Sequence, residues 1–536
     1  MTSTDTEVDV HDRRQQPVLA SQRAKQKEAE GNRAESRRAG YFPLGYKEGF
    51  SQWWAGLSPA VTEHRVLSFI PYLQKPPTHT QTGSAPPSRN ASTMAVDRSP
   101  EREADPIITN SITDPWGPRR WISNLVQLSG KNRYLNEFSV ERTEEEVDND
   151  LVILHGYGAG LGFFYKNFES LSRRPGWKLY ALDLLGMGRS SRPPFKIHAK
   201  DRQGKITEAE NWFIDALEEW RIKRGIDRFT LLGHSMGGYM AVAYALKYPG
   251  HLKKLILASP VGIPEDPYAV NAAMPEPEDS TMGNEFTQDQ GEAQGDNNNF
   301  LNARNKAGST PSQAPSGGAP PRKPLPKWLT TLWDANISPF SLVRWTGPLG
   351  PRLVSGWTSR RFSHLPPEEA QALHDYSYSL FRQRGSGEYA LAYILAPGAF
   401  ARSPLIRRIQ GVGRQWLGAH EGPIVDGADR QPSQSSEAGL QKKRETGVPV
   451  VLMYGENDWM DVKGGYAAEE KMREERAKAL ANASDEEKRR ENGDVKVVII
   501  KKAGHHVYLD GADHFNSVMD KEMEDVESRE KRLKSL

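Results

Sequence analysis

Gly233-His234-Ser235-Met236-Gly237 sets a serine between small residues. It lies where a β-branched and apolar run, Arg228–Gly233, meets a helical run, Met236–Lys247. A serine on such a strand-to-helix turn has its hydroxyl thrust out at the strand's carboxyl end, and glycines are needed because the turn is sharp and strained. In a chain with 47 glycines the five-residue pattern alone carries little weight. Its flanking strand and helix point to a nucleophile and away from an ordinary glycine-rich turn.

A serine hydroxyl needs a base to take its proton and an acid to orient that base. Val448–Tyr454 reads as a strand leading into Gly455-Glu456-Asn457-Asp458, and Val495–Lys501 as a strand leading to Ala503-Gly504-His505. Serine, acid and histidine then follow successive strands in the order this chemistry requires. Asp458 is the expected acid, with Asp461 as the alternative. His506 rivals His505, but the place directly after Ala-Gly favours His505.

Charge developing on the carbonyl oxygen needs preorganised donors. His155-Gly156-Tyr157-Gly158-Ala159-Gly160 follows a strand, and the amides of Tyr157 and Met236 are the expected oxyanion pair. His155 reads as a structural residue that fixes this loop. Asp183–Ser191 reads as a glycine-rich loop shaping the sheet, since it lacks the Lys-Ser/Thr ending of a phosphate loop. His505 and Asp510 also form H-x-x-x-x-D, a spacing associated with acyltransferases. Asp510 could equally be a turn or cap residue before the last helix.

A second group of residues concerns lipid. Phe50, Trp53, Trp54 and Leu57 are spaced to share one helix face, which either rests at a membrane interface or packs on the core. Farther on, Trp328, Trp333, Trp345 and Trp357 stand among Arg344, Arg352, Arg360 and Arg361. An apolar lid with arginines suits acyl chains and a phosphate head group, and tryptophan as core filler is the competing reading.

These residues must be held by a scaffold. Short apolar runs at 134–141, 150–155, 178–183, 228–233, 252–258, 448–454 and 495–501 alternate with helical runs at 208–223, 236–247 and 513–536. That alternation predicts a mostly parallel sheet covered on both faces. The core is expected over 118–262 and 447–536, interrupted by a cap or lid over 263–446. Residues 41–74 form a tryptophan-containing helical segment, and 467–491 a solvated charged helix. Composition predicts disorder at 1–40, 75–105, 265–325 and 420–446.

With 71 Lys+Arg against 69 Asp+Glu, the net charge of +2 offers no electrostatic case for nucleic acid. Zero cysteines exclude a disulfide framework, a thiol nucleophile and a thiolate zinc site. No apolar run reaches the roughly 20 residues that span a bilayer. Asp5, Glu7, Asp9 and Asp12 argue against a signal peptide. No cofactor and no metal are expected.

The blocks HGYGAGLGFFYKNF (155–168), DLLGMGRSSRPPF (183–195), ENWFIDALEEWR (210–221), GHSMGGYMAVAYALKYP (233–249) and GHHVYLD (504–510) resemble the α/β-hydrolase-domain 4/5 subfamily. The likeness covers roughly 43–73 and most of 118–520, and is nearest the fungal branch of cardiolipin-specific phospholipases, or deacylases. Related members are lysophosphatidic acid acyltransferases. The resemblance implies an α/β-hydrolase fold, catalysis by Ser235, His505 and Asp458 or Asp461, and a phospholipid substrate, cardiolipin or lysophosphatidate. It also implies peripheral contact with the mitochondrial inner membrane, the cytosol and lipid-droplet surface being the alternative. One vertebrate member lacks the serine and acts as a lipase coactivator, so a non-catalytic lipid-surface regulator is the contrasting expectation.

Overall fold

The computed structural model describes residues 43–73, 76, 106–111, 113–265, 270, 338–396, 400–417 and 443–536. The segments expected to be disordered, 1–40, 75–105, 265–325 and 420–446, lie almost wholly outside these, as do Trp328 and Trp333.

The strands are β1 (Ile107–Asn110), β2 (Arg119–Gln127), β3 (Tyr134–Arg142), β4 (Asn149–Leu154), β5 (Trp177–Leu182), β6 (Phe229–His234), β7 (Leu252–Ala258), β8 (Pro449–Gly455) and β9 (Asp494–Ile500). They form one sheet in the order β1-β2-β3-β5-β4-β6-β7-β8-β9. β1, β2 and β3 are antiparallel, β3 runs antiparallel to β5, and the six strands from β5 to β9 are parallel. The fold is therefore an α/β-hydrolase fold, a mostly parallel sheet flanked by helices. β1 and β2 are additions to the elements expected above. Their polar residues, including Arg119, Arg120, Ser123, Asn124 and Gln127, mask the strand pattern in the sequence.

Alternation along the parallel strands builds two cores. Val152, Leu154, Leu231, Leu255, Leu257, Val450 and Leu452 face one side. Leu151, Ile153, Leu232, Ile256, Val451 and Met453 face the other. Side chains alternate across a strand, so a continuous apolar run fills both layers. The first face is covered by α4 (Arg202–Lys223) and α5 (Met236–Lys247), with Phe213, Trp220, Tyr239 and Tyr244 buried. α3 (Tyr165–Leu171) and α10 (Ala512–Lys534) cover the second. α4 starts six residues earlier than the periodicity predicts, because the Asp201 side chain accepts from Gly204 N at 2.8 Å and caps it.

Two further elements lie against the second face. One is the N-terminal pair α1 (Tyr46–Ala55) and α2 (Pro59–Leu67). The other is the lid, α6 (Pro339–Trp345), α7 (Gly350–Arg361) and α8 (Pro367–Phe381). Val66, Leu67, Phe340, Val354, Leu373, Tyr376 and Phe381 join that core. The charged stretch expected near 467–491 is α9 (Val462–Ala481) followed by a short helix, Asp485–Arg490. α9 buries only Gly464, Gly465, Ala468 and Met472.

Candidate active site

Ser235 stands between β6 and α5 with φ 52° and ψ −115°, left-handed backbone that a serine adopts only under strain. Two neighbours must be glycine for this turn to fit. A Cβ on Gly233 would lie 2.3 Å from Gly237 O, and one on Gly237 would lie 2.6 Å from His155 O. Ser235 N donates to Ala258 O at 2.9 Å, which pins the turn to the neighbouring strand.

The registers Leu154↔Gly233, His234↔Ala258 and Gly455↔Ile500 align the strands' carboxyl ends, where the loops carrying the other groups emerge. His505 Nδ1 lies 3.2 Å from Asp458 Oδ1, both side chains buried. Asp458 Oδ1 also accepts from Met460 N at 3.0 Å, and Oδ2 from Ser259 Oγ at 2.5 Å and Gly455 N at 3.3 Å. Burial works to raise the Asp458 pKa, but the hydrogen bonds from His505, Ser259 and Met460 N and the charge of His505 more than offset it. The carboxyl is held below the ordinary aspartate range. A carboxylate fixed to Nδ1 leaves Nε2 as the nitrogen that could exchange a proton. His505 Nε2 is buried and has no hydrogen-bond partner among the described residues.

Both rivals are engaged elsewhere. Asp461 is exposed and caps α9, accepting from Lys463 N at 2.9 Å. His506 accepts from Arg361 Nε through its Nδ1 at 3.0 Å, and burial beside Arg361, His234 and His505 drives its pKa well below the usual histidine value.

The loop after β4 approaches the serine closely, for a Cβ on Gly156 would lie 3.0 Å from Ser235 Cβ. The Tyr157 ring stacks on Phe340 of the lid, centroids 5.0 Å apart. Met236 opens α5, so its amide has no partner within the helix. His155 fastens the loop, with Nδ1 2.7 Å from Gly156 O and Nε2 accepting from Leu184 N at 3.0 Å.

Asp183 is the hub of this neighbourhood. It accepts from Leu161 N, Asn136 Nδ2 and Arg189 N, each at 2.7 Å. Asn136 Nδ2 is also 3.2 Å from Glu63 Oε2 on α2, while Arg189 Nη1 donates to Glu63 Oε1 at 2.6 Å. Burial, offset in part by Arg189, pushes the Glu63 carboxyl up to about 7. The 183–191 segment is expected above only to shape the sheet, and Ser259 is not among the expected site residues. The available signal was a small polar residue or carboxylate directly after a strand, at β5 and β7.

Asp510 is not joined to His505. It takes Arg361 at 3.1 and 3.4 Å, His364 at 3.4 Å and Gly504 N at 3.2 Å. The aromatic stripe of α1 faces outward, with Trp54 76% and Phe50 49% exposed and Trp53 half-buried. The packed face of α1 is instead Gly49 and Gln52. Gln52 donates to Asp375 Oδ1 at 2.7 Å and lies 3.0 Å from His374 Nε2.

A serine on a strained turn at the end of a parallel strand, with a carboxylate two strands away and the histidine bound to it three strands away, is the arrangement of an α/β hydrolase. The chain belongs to the alpha/beta hydrolase fold family, which matches residues 150–512. A "1-acylglycerol-3-phosphate O-acyltransferase" of Arabidopsis thaliana is 30% identical over 76% of this chain and 72% of the relative. "1-acylglycerol-3-phosphate O-acyltransferase ABHD5" of Rattus norvegicus is 28% identical over 68% of this chain and 74% of the relative. A "(Lyso)-N-acylphosphatidylethanolamine lipase" of Homo sapiens is 27% identical over 76% of this chain and 88% of the relative. These relatives support an α/β-hydrolase-domain 4/5-like family for the chain, and none of their names points to the fungal cardiolipin-specific branch.

Proposed function

We propose that this protein is a serine hydrolase that cleaves acyl esters of phospholipids, with cardiolipin as the first substrate to test. The observation that carries the reading is His505, tied to Asp458 through Nδ1 and left without a partner at Nε2 among the described residues, on the same edge of the sheet as the strained Ser235. His505 Nε2 takes the Ser235 proton as Oγ bonds to the acyl carbonyl carbon. The amides of Tyr157 and Met236 receive the oxyanion. His505 then protonates the departing alcohol oxygen as the ester bond breaks, leaving an acyl-serine. Water, deprotonated by His505, releases the fatty acid and restores the serine. Labelling by a fluorophosphonate that disappears in Ser235→Ala, together with fatty acid release from cardiolipin vesicles, tests this; unlabelled wild-type protein would retire it and favour a non-catalytic regulator.

A second reading is favoured by two relatives, both named as acyltransferases of 1-acylglycerol 3-phosphate. The acyl-serine would then form from acyl-CoA with loss of the thiol, and the hydroxyl of lysophosphatidate would replace water. Asp510 bears against its H-x-x-x-x-D form, because that carboxylate is committed to Arg361. Acyl-CoA-dependent phosphatidate as the sole product would select transfer over hydrolysis.

For membrane contact we propose the outward face of α1 and the lid. Tyr46, Phe50 and Trp54 are exposed there together with Trp345, Leu349 and Leu353. Among the described residues no helix is long and apolar enough to cross a membrane, so the proposed contact is peripheral. A mitochondrial inner-membrane location rests on the subfamily resemblance and is tested by fractionation.

A further inference from the structure

The acyl-serine chemistry imposes a division of space. The histidine that takes the serine proton must reach the leaving oxygen, so the alcohol half of the ester lies on the histidine side. On this reading the oxyanion side carries the acyl group. There Tyr157 stacks on Phe340, and Phe340 on Phe381 with centroids 4.4 Å apart. The histidine side is different in kind. A cavity of about 620 Å³ reaches His505 and is walled by Trp357, Arg360, His364, Trp459 and Lys502.

The four lid arginines divide by partner. Arg344 is paired with Glu388 at 2.6 Å, and Arg352 covers the Tyr46 ring at 3.8 Å. Arg361 is bound to Asp510 and His506. The Arg360 guanidinium makes no ion pair or hydrogen bond among the described residues, and its Nε is buried in the wall without a partner. Lys502 Nζ likewise has no carboxylate partner among the described residues. Its backbone, at φ 58°, turns the chain three residues before His505. The one carboxylate lining this cavity, Asp510, is already met by Arg361, His364 and Gly504 N. The wall therefore holds two cationic side chains that make no ion pair among the described residues, next to the histidine that serves the leaving group; the Glu456 carboxylate meets Lys502 only at its backbone N, at 2.9 Å. The buried Arg360 Nε is costly unless a ligand meets it, whereas Lys502 is exposed and free to reach one.

We infer that Arg360 and Lys502 form the subsite for a phosphate ester carried on the alcohol half of the substrate. The inference deepens the proposed function and rests on it for the direction of the alcohol half. Arg360 supplies planar N–H donors to phosphate oxygens and Lys502 a mobile point charge. His364, at the rim beside Asp510, bounds the site.

The test separates phosphate recognition from catalysis. Calorimetric titration of the full chain with glycerol 3-phosphate, against glycerol as control, reads the subsite directly. Wild type binds glycerol 3-phosphate selectively, and Arg360→Ala combined with Lys502→Ala weakens it at least about tenfold. Arg360→Lys, which keeps the charge, recovers much of the loss. Lys502→Ala alone, at an exposed position, gives a few-fold loss and guards against a double variant that does not fold. Selective binding that survives these substitutions, or none in wild type, overturns the assignment. A second arm compares 1-butyrylglycerol 3-phosphate with 1-butyrylglycerol. The kcat/KM ratio favouring the phosphate ester falls at least about tenfold in the double variant, and an unchanged ratio also overturns it. Phosphate binding with no turnover of either ester would instead sink the hydrolase reading while leaving the subsite standing.

Discussion

The strand ends that hold Ser235, Asp458 and His505 and the shell formed by α1, α2 and the lid use polar residues in opposite ways. At the strand ends the polar side chains are few, and neighbouring backbone fixes them. Asp458 alone is met by two amides, a serine and a histidine. In the shell, polar groups hold helices together, and the aromatic stripe of α1 points outward while Phe340, Tyr376 and Phe381 of the lid are buried. Gln52, His374 and Asp375 lie at the packed face, and Phe50 and Trp54 lie outside it. Two of the four contacts on Asp458 come from within three residues of it, whereas Gln52, Thr62 and Arg65 in the shell meet partners more than 300 residues away in sequence.

The widest expected separation between the two regions is in rate. Asp458→Asn removes the group that fixes the His505 tautomer and lowers kcat by about 10⁴. Asp461→Asn touches only a helix cap and changes kcat less than about twofold. Equal losses measured on one soluble ester would break the assignment of the acid.

Next in size is the junction of the regions. Glu63→Ala strips the buried Arg189 of its partner and costs about 3–5 kcal/mol in denaturant unfolding. A loss below about 1 kcal/mol would mean that the shell is energetically separate from the core. The same carboxyl predicts a pH effect. Its folded value of about 7 lies above its ordinary 4.5, so the folded state binds the extra proton. Its stabilisation is full below 4.5 and is lost as pH rises through 7. Melting curves from pH 4.5 to 8 should show this decline, and Glu63→Gln should flatten it.

Smaller still is Ser259→Ala, which removes one of the hydrogen bonds on Asp458 and lowers kcat/KM by about tenfold. The smallest effect lies in the shell's outer face. Phe50→Ala with Trp54→Ala shifts stability by less than about 0.5 kcal/mol, since these rings are largely exposed. The same pair weakens liposome binding, and a large stability loss without a binding change would reverse the roles assigned to the two faces of α1.

This contrast also explains what could be read from sequence. Ser235, Asp458 and His505 each follow an apolar strand within a few residues, so local pattern brought them out, and the fold class followed from the same strands. The structure brings His505 to Asp458 and turns Asp461 and Asp510 to other partners. Spacing alone left those alternatives open. The direction of the Phe50–Trp54 stripe was not legible, because the face α1 buries depends on Asp375 and His374 far along the chain. Nor were β1 and β2, whose alternating polar residues are satisfied by partners such as Asp114 and Glu169 for Arg119.

The Asp183 hub bears on where this molecule can be cut. The family match begins at residue 150, yet Asn136 and Glu63 lie ahead of it. A fragment trimmed to the match would keep Asp183 and Arg189 and lose both of their outer partners. It would also expose the apolar face on which Val66 and Leu67 pack. The smallest independently folding piece is therefore larger than the smallest recognisable one, and a domain dissection should start ahead of α1.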